Sequence, residues 1–539
     1  MGNENDIHSA FLYISRWFRG LCTLTLSVLV FPLAVAVCLP CLLLAETARG
    51  LQRFGNRPGG NRKCVLILAG AKGKALHLAR LFKAEGYKTV MAESEMYSFA
   101  GASFSNKVDA FHSLPTPGNN PQGYVTAVLD VVKEHNPDLF VPLDPRTVDL
   151  DLQVISLLPK NCFPLVCGAS AFKELDDKSS FTAALEASGI RSPRTQMVRS
   201  KQEAFDFLKG KTKHYVFKPI LYDNVSRTNI FPPQDLEELD RYLTDSGVSR
   251  DKPYVIQERL VGPEMSSVSL ILNGEILAQS VGFSSPVHQT QNQVHCPEIE
   301  TWVESFVRLY PKEIVGWITM DYMKSPFDGQ FYPLECNPRL GTNFMLFTDK
   351  QGIIPRLQAA VDQARTSSGS GTYTASADRT EKPTGTPAKS QAQASAGTTR
   401  TSAESSSHDA RGTGISAKGK ANTSADTTGT SAESSSQGDD KSAGISASSQ
   451  GSVIVPEHQQ LYYLMNVVWV LVSSPCDLAV WREYVAIWWR GEEAVFSVWD
   501  PLPFLVLNFL QMPLLVVKHL YYNTPWNIVD YNIGTLKML

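Results

Sequence analysis

Residues 332–344 read YPLECNPRLGTNF, and residues 316–323, a short way upstream, read GWITMDYM. Glu335 and Asn337 stand two apart, Arg339 follows after a proline, and Asp321 ends an apolar run. Both segments have strand composition, and Asp328-Gly329 between them is a turn signal. Counting across that turn sets Asp321 within about one residue of opposite Glu335. The strand period of two puts Glu335 and Asn337 on one face. The spacing therefore predicts that Asp321, Glu335 and Asn337 converge. Three oxygen donors on one sheet face suit Mg²⁺ (or Mn²⁺), which keeps waters and takes phosphate oxygens at its remaining positions. Arg339, two residues further on, can meet a phosphate in forked geometry. A surface hairpin with stray polar groups is the plainer alternative, but it does not explain an acid placed straight after Tyr-Pro-Leu.

Upstream, three features add chemistry. In LDDKSSF (175–181), Lys178 follows two aspartates; alone this is a solvated helix start. In YVFKPILYDNVSR (215–227), Lys218 ends a Tyr-Val-Phe strand, and the residue before Pro219 is held extended. A lysine ending a buried strand needs a reason, and an anionic ligand is one. In YVIQERLVGPE (254–264), a strand ends in Gln257 and Glu258, followed by Leu260, a Gly-Pro turn and Glu264. Such strand ends can offer backbone groups to an adenine edge and a carboxylate to ribose hydroxyls. The body opens with CVLILAG (64–70), a buried strand. KALHLARLFKAEG (74–86) follows, a helix with Leu76, Ala79, Leu81 and Phe82 on one face and Gly86 as its stop; YKTVMAESE (87–95) is a second strand. This β-α-β opening implies a parallel sheet. Gly70 and Gly73 with their two lysines fit neither phosphate-loop spacing, so an ordinary strand-to-helix turn is the better reading.

Taken in order, these residues resemble the ATP-grasp superfamily over about residues 64–350. The resemblance implies an α/β fold in three parts: an N-terminal parallel α/β domain, a small lysine-bearing lid and a larger domain carrying the metal hairpin. It implies ATP and Mg²⁺ as cofactors. Lys178 and Lys218 would be the phosphate lysines, and Gln257 would meet the adenine amine. Glu258 and Leu260 would use backbone groups on the ring, Glu264 would hold the ribose, and Asp321, Glu335 and Asn337 would ligate Mg²⁺. A narrower resemblance is to the mycosporine-glycine synthase branch, which joins glycine to the cyclohexenone 4-deoxygadusol. It rests on KALHLARLFKAEGY, LDDKSSF, LYDNVSRTNI, ECNPR, DPLPFL and DYNIG. The loop 279–302, QSVGFSSPVHQTQNQVHCPEIETW, resembles that branch only in part, and the 366–452 stretch departs from it. The implied activity is an ADP-forming carbon–nitrogen ligase acting on an amino acid and a small-molecule acceptor. Arg339 would stabilise the leaving phosphate. Arg227 and His288 are candidates for the acceptor or for proton removal, although a histidine in a polar loop is by default merely solvated. A dipeptide or amino-acid ligase with a carboxylate acceptor, and a non-catalytic membrane scaffold that only binds nucleotide, are the alternatives.

Composition divides the rest. The 539 residues carry 50 Lys+Arg against 53 Asp+Glu, a balance that gives no electrostatic case for a nucleic-acid partner. Nine scattered cysteines form no disulfide framework and fit a reducing compartment. Cys38 and Cys41 read as small buried residues rather than a redox pair. Residues 21–45 contain no charge and are long enough to span a bilayer. A signal peptide is the competing reading, and Pro32 and Pro40 also allow a re-entrant or interfacial hairpin. Gly2 invites myristoylation, but Asp6 departs from that pattern. Arg16 and Arg19 precede the run; Arg49, Arg53, Arg57, Arg62 and Lys63 follow it, which predicts a membrane-associated chain with its catalytic body on the cytosolic face. The expected organisation is an anchor over 1–60, the parallel α/β domain over 61–170, the nucleotide and metal core over 171–365, a disordered Ser/Thr/Ala/Gly linker over 366–452, and an aromatic-rich helical region over 453–539. Six of the nine tryptophans lie in that last region, so helices with one face toward lipid are expected there.

Overall fold

The computed structural model describes residues 2–55, 62–97, 99–209, 211, 215–219, 229–231, 236–284, 290–325, 328–367, 453–456, 460–464, 467, 477–522, 528–530 and 535–537. The linker expected to be disordered lies outside these residues, apart from its first two, which end a helix.

Helix α1 (Gly2–Gly55) runs unbroken through Pro32 and Pro40, so the hairpin reading is corrected. Both prolines are on the exposed side of the helix, where the loss of a main-chain donor does not open a packed interface. The first sheet holds β1 (Cys64–Leu68), β2 (Lys88–Ser94), β3 (Ala110–Leu114), β4 (Leu139–Val141) and β5 (Phe163–Pro164), in the order β3-β2-β1-β4-β5. All its pairings are parallel. Helices α2 (Gly73–Ala84), α3 (Pro121–His135) and α4 (Val148–Ser156) connect and cover it. The β1 sequence CVLIL is buried at every position, as a strand sandwiched between helix layers requires. Val65 and Ile67 pack with Leu78 and Phe82 of α2, whereas Leu66 and Leu68 pack with Tyr124 and Val128 of α3. Gly86 adopts φ +81°, stopping α2 as its sequence suggests.

Next come α5 (Ala169–Asp176) and α6 (Lys178–Ala187), then a small antiparallel sheet. It contains β6 (Thr195–Val198), β7 (Tyr215–Pro219), β8 (Asn229–Phe231) and β9 (Tyr254–Glu258), in the order β6-β9-β7-β8. Helices α7 (Lys201–Leu208) and α8 (Leu236–Ser246) cover one face, where Tyr215, Phe217, Tyr254 and Ile256 meet Leu208, Leu239 and Leu243. Alternation therefore turns Lys218 and Gln257 to the other face.

The largest sheet contains β10 (Glu264–Leu272), β11 (Glu275–Phe283), β12 (Thr290–Gln293), β13 (Gly316–Lys324) and β14 (Phe331–Asn337), with α9 (Pro297–Val307) and α10 (Ile353–Ser367) packed about it. Two strands from beyond the linker extend it: β15 (Gln460–Tyr462) pairs with β12, and β16 (Glu492–Glu493) pairs with β15. The sheet order is β14-β13-β10-β11-β12-β15-β16. The tail is thus not wholly helical. Its helices are α11 (Leu478–Arg490), α12 (Leu502–Val506) and α13 (Met512–Tyr521), and a short hairpin, β17 (Ile528–Asp530) with β18 (Thr535–Lys537), ends it. The helical course continues through Asn508, Gln511 and Pro513. A π turn over Leu507–Gln511 joins α12 to α13, Asn508 Nδ2 donates to the Phe504 carbonyl, and Gln511 accepts from the Gly101 amide. Buried Asp500 fastens this tail to the first domain, accepting from Arg80 Nε at 3.0 Å, Ser105 Oγ at 2.7 Å and the Asn106 amide at 2.9 Å. The whole is the α/β architecture implied by the resemblance: a parallel N-terminal domain, a small antiparallel lid and a large antiparallel sheet.

Candidate active site

The β13–β14 hairpin sets the site. Its register places Asp321 directly opposite Glu335 and Thr319 opposite Asn337. The intervening residues Met320, Tyr322 and Cys336 point into the core on the other face, which fixes the register because a slip by one residue would bury the acids. Asn337 Nδ2 lies 3.5 Å from Asp321 Oδ2. Ser266, opposite Asp321 on β10, hydrogen-bonds the same carboxylate. The register shifts just past Asp321, so Leu334 has no cross-strand partner there. Its carbonyl instead accepts from Gln257 Nε2 at 3.3 Å, linking the hairpin to the lid sheet.

Three cations ring these acids, each in contact with an acid or an amide. Lys178 opens α6 behind its cap Asp177, and its Nζ is 2.9 Å from Glu335 Oε2. Glu335 holds the Lys178 ammonium above its ordinary range. Lys218 donates to Gln257 Oε1 at 3.1 Å. Burial pushes Lys218 down, while Glu335, Glu264 and Asp321 pull the other way. Arg339 pairs with Asp176 at 2.6 Å and also donates to Asn337 Oδ1. Burial, then Glu335 and Glu264, push the Asp321 carboxyl up to about 8. Asp321, Glu335 and Glu264 thus crowd one another, and that crowding with the all-oxygen donor set fits a divalent cation held by Asp321, Glu335 and Asn337.

The remaining predicted residues fall as follows. Gln257 is buried, and its carboxamide is engaged at both ends, by Lys218 and by Leu334 and Thr195. The Glu258 amide donates to the Arg194 carbonyl at 2.8 Å. Leu260 is half-buried in the connection from β9 to β10. Glu264 starts β10 on the face shared with Ser266 and Asp321. Arg227 and His288 lie outside the described residues. Sequence reasoning missed Asp176, Ser266 and Lys74. Lys74 donates to the Leu340 carbonyl and Thr319 Oγ1 to the Arg339 carbonyl at 2.8 Å, so α2 and β13 together hold the loop after the ligand strand. The signal for Lys74 was a lysine inside an otherwise apolar helix start. Its near neighbour Lys72 is buried, with its Nζ 3.4 Å from Asp144.

A second donor cluster, His112, Glu134 and His135, lies on β3 and the end of α3. Lys88 Nζ is 2.9 Å from His135 Nδ1. A lysine ammonium can only donate, so this bond leaves the His135 proton on Nε2, the atom a metal would need.

No family model and no curated protein sequence matches this chain. Similar solved structures include phosphoribosylamine–glycine ligase from Thermotoga maritima, at 16% identity and TM-score 0.41 over 55% of this chain and 76% of that one. The biotin carboxylase domain of Hydrogenobacter thermophilus 2-oxoglutarate carboxylase, in complex with MgADP, ADP and bicarbonate, is 15% identical with TM-score 0.45, over 56% of this chain and 70% of that one. An L-amino acid ligase from Bacillus licheniformis is 16% identical with TM-score 0.39, over 52% and 69%.

Proposed function

We propose that this protein is an ATP-grasp carbon–nitrogen ligase that forms ADP while joining an amino acid to a phosphate-activated acceptor. The observation that carries the reading is one sheet face with Asp321 opposite Glu335, ringed by Lys178, Lys218 and Arg339. Mg²⁺ held by Asp321, Glu335 and Asn337 would neutralise β- and γ-phosphate oxygens. Lys178 and Lys218 would exchange their present partners for the triphosphate, and Arg339 would take the transferred phosphoryl group. Phosphoryl transfer chiefly needs positioning and charge stabilisation, which this set can supply.

An acceptor oxygen, carboxylate or enolic, attacks the γ-phosphorus; the bond to the β-phosphate oxygen breaks and ADP leaves. The amine nitrogen then attacks the activated carbon and loses a proton, and the carbon–oxygen bond breaks to release phosphate. For the acceptor we favour a cyclic enolic ketone of the 4-deoxygadusol kind with glycine as the amine, on the residues shared with the mycosporine-glycine synthase branch. The test is ADP release by purified full-length protein against amino acids paired with cyclohexenone and carboxylate acceptors, with products weighed by mass spectrometry. A C–N adduct of a cyclohexenone supports the finer reading, and an amide or dipeptide replaces it with a carboxylate ligase. MgATP binding without ADP release for any pair would leave only a nucleotide-binding scaffold.

A further inference from the structure

Among the described residues, two helical stretches are long and apolar enough to cross a membrane, Gly20–Arg49 and Leu502–Tyr521. Their packing argues against crossing. One edge of α1 carries small buried residues, Thr23, Ser27, Ala34, Cys38 and Ala45, at helical spacing. Along that edge, a Cβ on Gly20 would come within 2.9 Å of Leu520, and Phe31 meets Phe509 at 5.5 Å, so α1 lies antiparallel to the α12–α13 stretch. Ala34 and Cys38 continue into the same core as the first domain. The α12–α13 stretch is itself fixed to that domain through Asp500 and Gln511. Beside it stand the charged residues Arg80 and Lys83 of α2 and Asp109, which precedes β3. A bilayer core is about 30 Å thick; the α12–α13 stretch does not offer that length clear of such charge, and α1, uncharged over 21–45, is packed against it along one edge.

The opposite edge of α1 is apolar and bare. Phe18, Val28, Leu29, Leu33 and Leu43 are each more than 60% exposed. The tail adds α11, which has no buried residue and shows Trp481, Trp488 and Trp489 with Arg482, Glu483 and Arg490 to solvent. Leucine and valine along α1, and tryptophan with arginine on α11, match what a bilayer surface offers: acyl chains, the headgroup boundary and anionic phosphates.

We propose that α1 docks in the plane of an anionic lipid bilayer, with both its ends on the same side as the catalytic body, and that α11 makes a second contact with the same bilayer. Lipid covers the leucine face, and the arginines of α11 meet the headgroups.

The test is cell-free synthesis of the full chain, carrying an N-terminal epitope, beside sealed vesicles of phosphatidylcholine with one quarter phosphatidylserine. The protein should float with the vesicles, while protease added outside removes the epitope and cuts the body alike. The triple variant Leu29→Glu, Leu33→Glu, Val37→Glu should lose flotation by on the order of tenfold or more, because each acid faces lipid. Its melting temperature should stay that of the parent. Trp488→Ala with Trp489→Ala, a milder pair, should lower flotation and steepen its dependence on salt. An epitope protected inside the vesicles would show a span and overturn the proposal. So would flotation unchanged by both sets of variants. Absence of flotation, with light scattering showing a dimer that the glutamates dissociate, would assign the face to a second copy.

Discussion

Glu335→Gln separates the electrostatic role of the hairpin from its structural one. The substitution keeps shape and hydrogen-bonding capacity but removes one negative charge directly opposite Asp321 and 2.9 Å from Lys178. Two effects on stability oppose each other. The Lys178–Glu335 pair is about a quarter exposed, at 23% and 28%, and pairs open to solvent to that degree contribute roughly 0.2–1 kcal/mol. Against that loss, Asp321 is relieved of the charge that, after burial, does most to raise its carboxyl to about 8. The net change should stay within about 1 kcal/mol, a shift of roughly 2–4 °C for a domain of this size. Catalysis has no such offset. Losing the charge proposed to bridge cation and phosphates should lower ADP release by on the order of 10²–10³. It should also raise the Mg²⁺ concentration for half-maximal rate by about tenfold or more. A coupled ADP assay over a Mg²⁺ titration, with a thermal melt on the same sample, reads all three quantities. Near-normal turnover at subsaturating Mg²⁺ would refute the metal assignment. A collapse of the melting temperature would show that the hairpin needs the pair to fold.

Lys218→Ala should chiefly weaken nucleotide binding, raising the ATP KM by about tenfold with a smaller fall in kcat; an unchanged KM would remove Lys218 from the phosphate site. Asp151 offers a pH test away from the site. It is buried, accepts from Thr147 Oγ1 at 2.7 Å and Tyr124 Oη at 2.9 Å, and burial lifts its carboxyl to about 7. Asp144 adds to that lift and Lys72 opposes it. Its folded-state value lies above its unfolded one, so between pH 4 and 7 the native chain holds a proton that the unfolded chain has released. Stability therefore rises as pH falls through that window. From 3.8 to about 7, at about 1.4 kcal/mol per unit, the contribution is at most roughly 4 kcal/mol. Asp151→Asn should flatten the wild-type slope in urea melts run from pH 5 to 7.5, and an equal slope in both proteins would assign the lift to another group.

The hairpin was legible because its information is local. A period of two, a Asp-Gly turn and the burial of Met320 and Cys336 together leave one register, and the acids follow from it. The same holds for Lys218, whose side of the sheet is set by Phe217 and Tyr215 packing under α7 and α8. What sequence missed depends on contacts between distant segments. Asp176 and Arg339 are an ion pair between α5 and the loop after β14. Lys74 reaches a carbonyl 266 positions away. The strands β15 and β16 are only three and two residues long, and they exist because β12 offers an edge to pair with. Pattern reading has no purchase on so short a strand. The unbroken course of α1 is of the same kind: propensity argues for a break at each proline, but packing against α12 and α13 holds the helix through both.

The pairings within the site also bear on how the proposed substrates would enter. Lys178 is held by Glu335, and Arg339 by Asp176 and Asn337. Two of those three partners, Glu335 and Asn337, are among the groups proposed to bind the cation. A cation arriving alone would take Glu335 from Lys178 and leave that ammonium beside a new positive charge. A triphosphate arriving alone would take Lys178 from Glu335 and leave Glu335, Asp321 and Glu264 facing one another without an offset. Either half-filled state leaves uncompensated charge in a partly desolvated site, where such charge costs most. Cation and triphosphate arriving together exchange every pair at once: the acids pass to the metal and the lysines to the phosphates. The site is therefore electrostatically coupled, and each ligand should raise the affinity for the other by the same factor, as linkage between two sites demands.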